Sequence, residues 1–142
     1  MRIATWNVNS LKVRLGHVEE WMSVAEPDVV ALQEIKQVTA DFPEAAFTEA
    51  GYRSIASGQK TYNGVAVVSK SDIQGAVTEL PDFEDEQRRV LAVTTGGVRV
   101  PAAALTPYRS WRCGGCRAEL APETTGSYRL RAYRSSATGG AA

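Results

Sequence analysis

The sequence predicts an α/β domain, and three observations carry that prediction. A short apolar run, "IATW" (Ile3 to Trp6), stops at Asn7; apolar residues then recur at helical spacing; and "DVVALQE" (Asp28 to Glu34) follows with four consecutive apolar residues. A strand, an amphipathic helix and a strand covered on both faces make a βαβ unit. At 142 residues the chain holds one ordinary domain, since domains run from about 50 to 250 residues. Two full domains are not expected.

The elements follow in order. Asn9-Ser10 supplies candidate caps for the helix, whose apolar face is Leu11, Leu15, Val18, Met22 and Ala25. Pro27 ends it. "FPEAAFTEAGY" (Phe42 to Tyr52) reads as a short second helix, with proline near its start and Gly51 just past its end. Tyr52 to Ala56, Val65 to Ser69 and Val90 to Thr94 are further strand candidates, and Gly96-Gly97 before "VRV" suggests a hairpin whose second strand starts at Val98 and soon fails.

Composition divides the chain. Residues 1–100 carry 10 Lys and Arg against 14 Asp and Glu, net −4, whereas residues 101–142 carry 6 Arg against 2 Glu, net +4. The second segment has no Ile, Val, Phe, Asp, Asn, Lys or His. So few aliphatic residues cannot offset the entropy of ordering the chain, and a disordered Arg/Ala/Gly-rich tail is expected. Such a composition also matches a GC-rich gene read out of frame. No apolar run approaches the roughly 18 residues that cross a bilayer. The N-terminus enters a strand pattern directly, without the basic and apolar regions of a secretory leader, so a cytoplasmic location is expected.

Two parallel strands of a right-handed βαβ unit end at the same sheet edge. Asn7 and Glu34 both lie just past their apolar runs, so they should emerge together at the carboxyl edge, where open α/β sheets bind ligands. An amide oxygen beside a carboxylate suits Mg²⁺, which takes one or two protein oxygens and keeps several waters. The residues alone leave open that Asn7 caps the following turn and Glu34 is a solvated strand-end acid.

Other residues are set aside. His17 lies off the apolar helix face and reads as exposed, and Trp6 and Trp21 read as core or core-edge residues. Cys113-Gly-Gly-Cys116 has the spacing of half a zinc site, with no second half to complete it. "DFEDEQRR" (Asp82 to Arg89) reads as mostly a solvated charge run.

Four stretches, "MRIATWNVNSLKVRL", "PDVVALQEIK", "GQKTYNGVAVVSK" and "DEQRRVLAV", occur in the order and at the separations found in exonuclease III-like enzymes, the bacterial relatives of abasic-site endonucleases. The resemblance covers residues 1 to about 100. It implies the N-terminal half of a four-layer α/β sandwich, an incomplete fold with one mixed β-sheet and flanking helices. The inner face of that sheet would be left exposed, with marginal folding as the consequence. It implies Mg²⁺-dependent hydrolysis of DNA phosphodiesters in base excision repair, with Mn²⁺ an acceptable substitute, on double-stranded DNA bearing abasic sites or 3′ ends; no obligate protein partner is implied.

The same resemblance assigns residues. Asn7 matches the asparagine that positions metal and reacting phosphate, Asn9 a second position supporting that site, and Glu34 the principal metal carboxylate. Lys60, Tyr62 and Asn63 match the DNA-contacting loop, and Arg89 an arginine near the DNA backbone. In "GQKTYNGVAV", Asn63-Gly64 turns the chain and Val65 to Val68 anchor it, leaving Lys60 to meet a phosphate and Tyr62 to offer a hydroxyl and a flat face. The family's later Asp-x-Asn and Asp-His motifs have no counterpart beyond Val100, so little activity is expected of this chain alone. Two alternatives stand beside this: a sister phosphoesterase acting on inositol phosphates or phospholipids, which should lack the "QKTYNG" loop, and a non-catalytic DNA-binding module.

Overall fold

A computed structural model of the protein describes residues 1–79 and 86–104, and the backbone of three further strands at 111–113, 116–122 and 128–134. The chain divides into two compact units, Met1–Ala104 and Leu105–Ala142.

The first unit opens with the expected βαβ unit: β1 (Ile3–Asn7), α1 (Leu11–Ala25) and β2 (Val29–Gln33). Strands β1 and β2 pair in parallel, from Ile3 opposite Val29 to Asn7 opposite Gln33. The helix buries Leu11, Val18 and Met22, and Glu26 closes it in the left-handed conformation (φ 44°), its amide donating to the Met22 carbonyl. Its start departs from expectation. Ser10 is the N-cap but makes no side-chain capping bond. Instead the amides of Ser10 and Leu11 donate to the carbonyls of Glu34 and Ile35, at 2.8 and 3.0 Å. Helix initiation is thereby tied to the segment leaving β2, and this meets the need of exposed first-turn amides for partners.

A 3-10 turn (Thr39–Asp41) and α2 (Glu44–Glu49) lead to β3 (Arg53–Ser57), β4 (Val65–Ser69), β5 (Ile73–Val77), β6 (Val90–Thr95) and β7 (Val98–Ala103). The first sheet has the order β1-β2-β4-β3, with β4 antiparallel to both β2 and β3. On one face, Val30, Leu32, Ala66 and Val68 pack with Leu11, Val18, Met22, Phe47 and Tyr52. Trp6 and Trp21 meet edge to face at 5.7 Å on the margin of this cluster, as expected of core-edge residues. His17 is exposed.

The other face corrects the expectation of an uncovered sheet. Strands β5-β6-β7 form a second, antiparallel sheet. Val29, Ala31, Val65 and Val67 of the first sheet join Leu91, Val93, Val100 and Ala102 of the second in one cluster, each no more than 4 % exposed. A buried hydrogen bond of 2.7 Å between the Ser69 and Thr95 hydroxyls links β4 to β6. At the β1 margin of this face Ile3 is 50 % exposed. The sequence shows these segments as strands, but which strands share a sheet depends on pairing partners that no local pattern records. Strand β5 escapes the pattern altogether: its residues are largely exposed and Gly75 interrupts it.

Strand β7 also runs past its expected end. Pro101 sits opposite Ala92 on an edge strand, where a missing amide is tolerated, and small Ala102 is buried against the first sheet. The first unit ends at Ala104.

The second unit contains β8 (Trp111–Cys113), β9 (Cys116–Pro122) and β10 (Tyr128–Arg134), antiparallel in the order β10-β9-β8. Apolar and arginine residues alternate in "YRLRA" (Tyr128 to Ala132), a period-two signal that composition alone obscures. The side chains of Cys113 and Cys116, and residues 82–85 of the charge run, lie outside the described residues. Among the described residues no helix is long and apolar enough to cross a membrane.

Candidate metal and phosphate site

The parallel register fixes the site. Because Asn7 ends β1 opposite Gln33, the residue that follows β2, Glu34, leaves the sheet at the same edge. The Asn7 Nδ2 donates to Glu34 Oε1 at 2.9 Å, while the Asn7 Oδ1 accepts the Asn9 amide at 3.0 Å. Asn7 thus caps the turn, one of the readings the residues leave open, and its NH₂ group also bonds the carboxylate. The network also orients the amide, since a flip would set oxygen against carboxylate oxygen. Asn7 presents its NH₂ group to Glu34 rather than a second oxygen beside it.

Lys36 completes the cluster and was not singled out in the sequence, where it reads as one more surface lysine. Its Nζ donates to Asn9 Oδ1 and lies 3.4 Å from Glu34 Oε2. Both side chains are partly sheltered, with exposures of 28 % for Lys36 and 34 % for Glu34. The Arg14 guanidinium donates to the Asn9 carbonyl at 2.8 Å. Buried Ile35, between Glu34 and Lys36, anchors the segment in the core.

The backbone here is strained. Of seven non-glycine residues with positive φ among those described, six (Asn9, Ser10, Glu34, Lys36, Thr61 and Asn63) lie in these loops. Such conformations cost on the order of 1 kcal/mol or more each and gather where geometry is tied to function.

The Gly58–Gly64 loop docks directly on this segment. The Ile35 amide donates to the Gly64 carbonyl at 3.2 Å and the Lys36 amide to the Asn63 carbonyl at 3.0 Å. Gly64 has φ +82°, and a Cβ there would lie 2.6 Å from Ile35 Cγ1. The segment before β6 clamps the other side: the Gly64 amide donates to the Arg88 carbonyl, Gln59 Oε1 accepts the Arg88 amide, and Asn63 Nδ2 donates to Gln87 Oε1. Lys60 is exposed and Tyr62 is 67 % exposed, both on a fixed base. The half-buried Arg89 follows the clamp directly, its carbonyl accepting the Ala104 amide. Asn7, Asn9 and Glu34 therefore form one cluster, and Lys60, Tyr62, Asn63 and Arg89 lie on segments bonded to it. The Asn63 side chain is engaged within the clamp. Gln59, Gln87 and Lys36 carry no signal in the sequence, because glutamine and lysine in loops follow no local pattern.

For a hard cation, the fitting donor is the Glu34 carboxylate, partly exposed and with lone pairs to spare beyond its two contacts; Mg²⁺ accommodates one protein carboxylate with water completing its shell. Among the described residues no cluster of three or more His, Cys, Asp or Glu forms a metal cage.

An α/β chain whose parallel strands deliver an amide–carboxylate pair to their carboxyl edge, beside a clamped lysine–tyrosine loop, has the architecture of a phosphoester-handling sandwich. The chain belongs to the Endonuclease/Exonuclease/phosphatase family, whose profile matches residues 4–139. Two structures of NExo, a 3′ phosphatase from Neisseria bound to a product DNA hairpin and a 3′-5′ exonuclease from Neisseria meningitidis, are each 46 % identical with a TM-score of 0.74. Each covers 78 % of this chain and 43 % of its own. An AP endonuclease from Archaeoglobus fulgidus is 34 % identical with a TM-score of 0.70, over 73 % of this chain and 41 % of its own. The exodeoxyribonuclease III of Haemophilus influenzae is 34 % identical over 92 residues, 64 % of this chain and 34 % of that protein. The chain thus spans less than half the length of these relatives.

Proposed function

We propose that this chain carries the ion-binding and DNA-gripping half of a nuclease of the exonuclease III and abasic-site endonuclease type, serving base excision repair in the cytoplasm. The observation that carries this reading is the Asn7–Glu34 hydrogen bond at the carboxyl edge of the parallel pair. Glu34 holds Mg²⁺ or Mn²⁺, and Asn7 with Asn9 fixes the carboxylate and faces the reacting phosphate. When bound, the ion would supply charge stabilisation to the phosphoryl oxygens. Lys60 and Arg89 meet the backbone of double-stranded DNA near an abasic site or 3′ end, Tyr62 packs on the sugar-phosphate groove, and Asn63 shapes the loop that carries them.

The Gly58–Gly64 loop supports DNA over an inositol phosphate or lipid headgroup, because a lysine and a tyrosine on a clamped base suit an extended backbone. The net charge of −4 over residues 1–100 makes the grip weak, and its dependence on Lys60 and Arg89 meeting phosphates makes it salt-sensitive. Residues 101–142 supply no Asp, Asn or His to activate water, so turnover by this chain falls several powers of ten below that of a complete enzyme.

Incision of an abasic-site duplex, with release from 3′ ends measured in parallel, tests the reading. Expected are Mg²⁺-dependent traces of product removed by Glu34→Ala, and DNA binding that weakens with salt. Efficient incision that survives Glu34→Ala would overturn the site, and headgroup hydrolysis without DNA binding would favour the sister phosphoesterases.

A further inference from the structure

Lys36 places a fixed positive charge where an incoming cation would have to share Glu34. Its side chain bridges Asn9 Oδ1 and Glu34 Oε2, the latter at 3.4 Å. Its backbone leaves it little freedom: φ is +54°, its amide donates to the Asn63 carbonyl, and the preceding Ile35 is fully buried. The ammonium and the carboxylate neutralise each other, so a free divalent ion approaching Glu34 meets a paired group and a like charge beside it. A phosphate oxygen arriving at the same edge changes both terms. It adds negative charge, and it offers the ammonium a second anionic partner, which frees Glu34 Oε2.

We propose that Lys36 is a built-in counter-ion that makes divalent-ion capture at Glu34 conditional on a DNA phosphate. This rests on the reading of Glu34 as the ion's carboxylate. Lys36 acts in this scheme by its charge, on the ion by pairing with Glu34 and standing beside it, and on DNA by meeting the phosphate. Ion and DNA then bind with positive coupling, and by linkage each must raise the affinity of the other by the same factor.

The test measures Mn²⁺ affinity by electron paramagnetic resonance, with and without a short abasic-site duplex, for the wild type, Lys36→Met, Lys36→Gln, Lys36→Arg and Glu34→Ala. For the wild type, the duplex should tighten Mn²⁺ binding by about tenfold, and Mn²⁺ should tighten duplex binding equally. Lys36→Met and Lys36→Gln should bind Mn²⁺ alone about tenfold more tightly than the wild type, a size set by one nearby charge at intermediate dielectric, and gain less from the duplex than the wild type does. Lys36→Arg, which keeps the charge, should behave as the wild type. Far-ultraviolet circular dichroism checks folding, and the two neutral variants differ in shape so that a fault in one does not decide the result. Mn²⁺ binding that is lost with Glu34→Ala yet unchanged by either neutral variant overturns the role of Lys36 and leaves the ion site standing. If no form binds Mn²⁺, or binding ignores Glu34→Ala, the ion site and the coupling fall together.

Discussion

Asn7 and Glu34, 27 residues apart in sequence, are joined by a 2.9 Å hydrogen bond in which the amide nitrogen donates to the carboxylate. The same Asn7 side chain accepts the Asn9 amide, so one residue spans the end of β1, the turn into α1 and the exit from β2. Asn7→Ala removes both bonds and should cost about 1 kcal/mol, the usual net worth of partly exposed hydrogen bonds. The urea midpoint checks the cost. The Mn²⁺ affinity of the same variant should fall, as the carboxylate loses its orienting partner.

Gly58 and Gly16 should respond to alanine with opposite signs. A Cβ at Gly58 would lie 2.2 Å from the Gln37 carbonyl oxygen, a backbone atom that cannot swing aside. Gly58→Ala should destabilise by roughly 1–3 kcal/mol, as overpacking does, and weaken DNA binding by displacing the loop that bears Lys60 and Tyr62. Gly16 lies inside α1 with nothing within 4 Å of the added carbon. Gly16→Ala should stabilise by about 0.5–1 kcal/mol through helix propensity. Thermal melts of the two variants give the comparison.

Leu91→Ala tests whether the second sheet covers the first. Leu91 is fully buried in the cluster between them, so the substitution should cost about 2–5 kcal/mol. Ile3, half exposed at the β1 margin, should cost about 1 kcal/mol or less when changed to alanine. Equal, small losses from denaturant titration would mean that the inner face is not covered.

Asp28 should give acid-dependent stability. The Arg2 backbone amide donates to its Oδ2 at 2.5 Å, with the terminal ammonium 3.8 Å away, and these hold its carboxyl below the ordinary value despite some desolvation. A depressed carboxylate pKa contributes stability that is fully present above the unfolded value of about 3.9 and lost as pH falls through the folded one. The urea-midpoint gap between the wild type and Asp28→Asn should therefore hold steady at neutral pH and close on acidification below about pH 4. A gap independent of pH would rule out this ion pairing.

Much of the site could be read from local pattern. Asn7 and Glu34 stand out because apolar runs end immediately before them, and a parallel pair brings two such ends together. Lys60 and Tyr62 stand out because Asn63-Gly64 marks a turn. Lys36, Gln59 and Gln87 could not be found this way: their partners, Asn9, Arg88 and Asn63, lie on other segments, and only folding brings them within bonding distance.

By itself the sequence determined the α/β class, the βαβ start, the apolar face of α1, the doubly buried strand β2 and the pairing of an amide with a carboxylate at one sheet edge. These follow from periodicity and from where apolar runs stop, both of which are local. Tertiary structure decided that β5, β6 and β7 form a second sheet over the first, that β7 continues through Pro101, that α1 begins on carbonyls from β2 rather than on a side-chain cap, and that Asn7 turns its nitrogen to Glu34. Each of those outcomes depends on which distant group fills a lone pair or an apolar gap, and that choice is made by packing between segments.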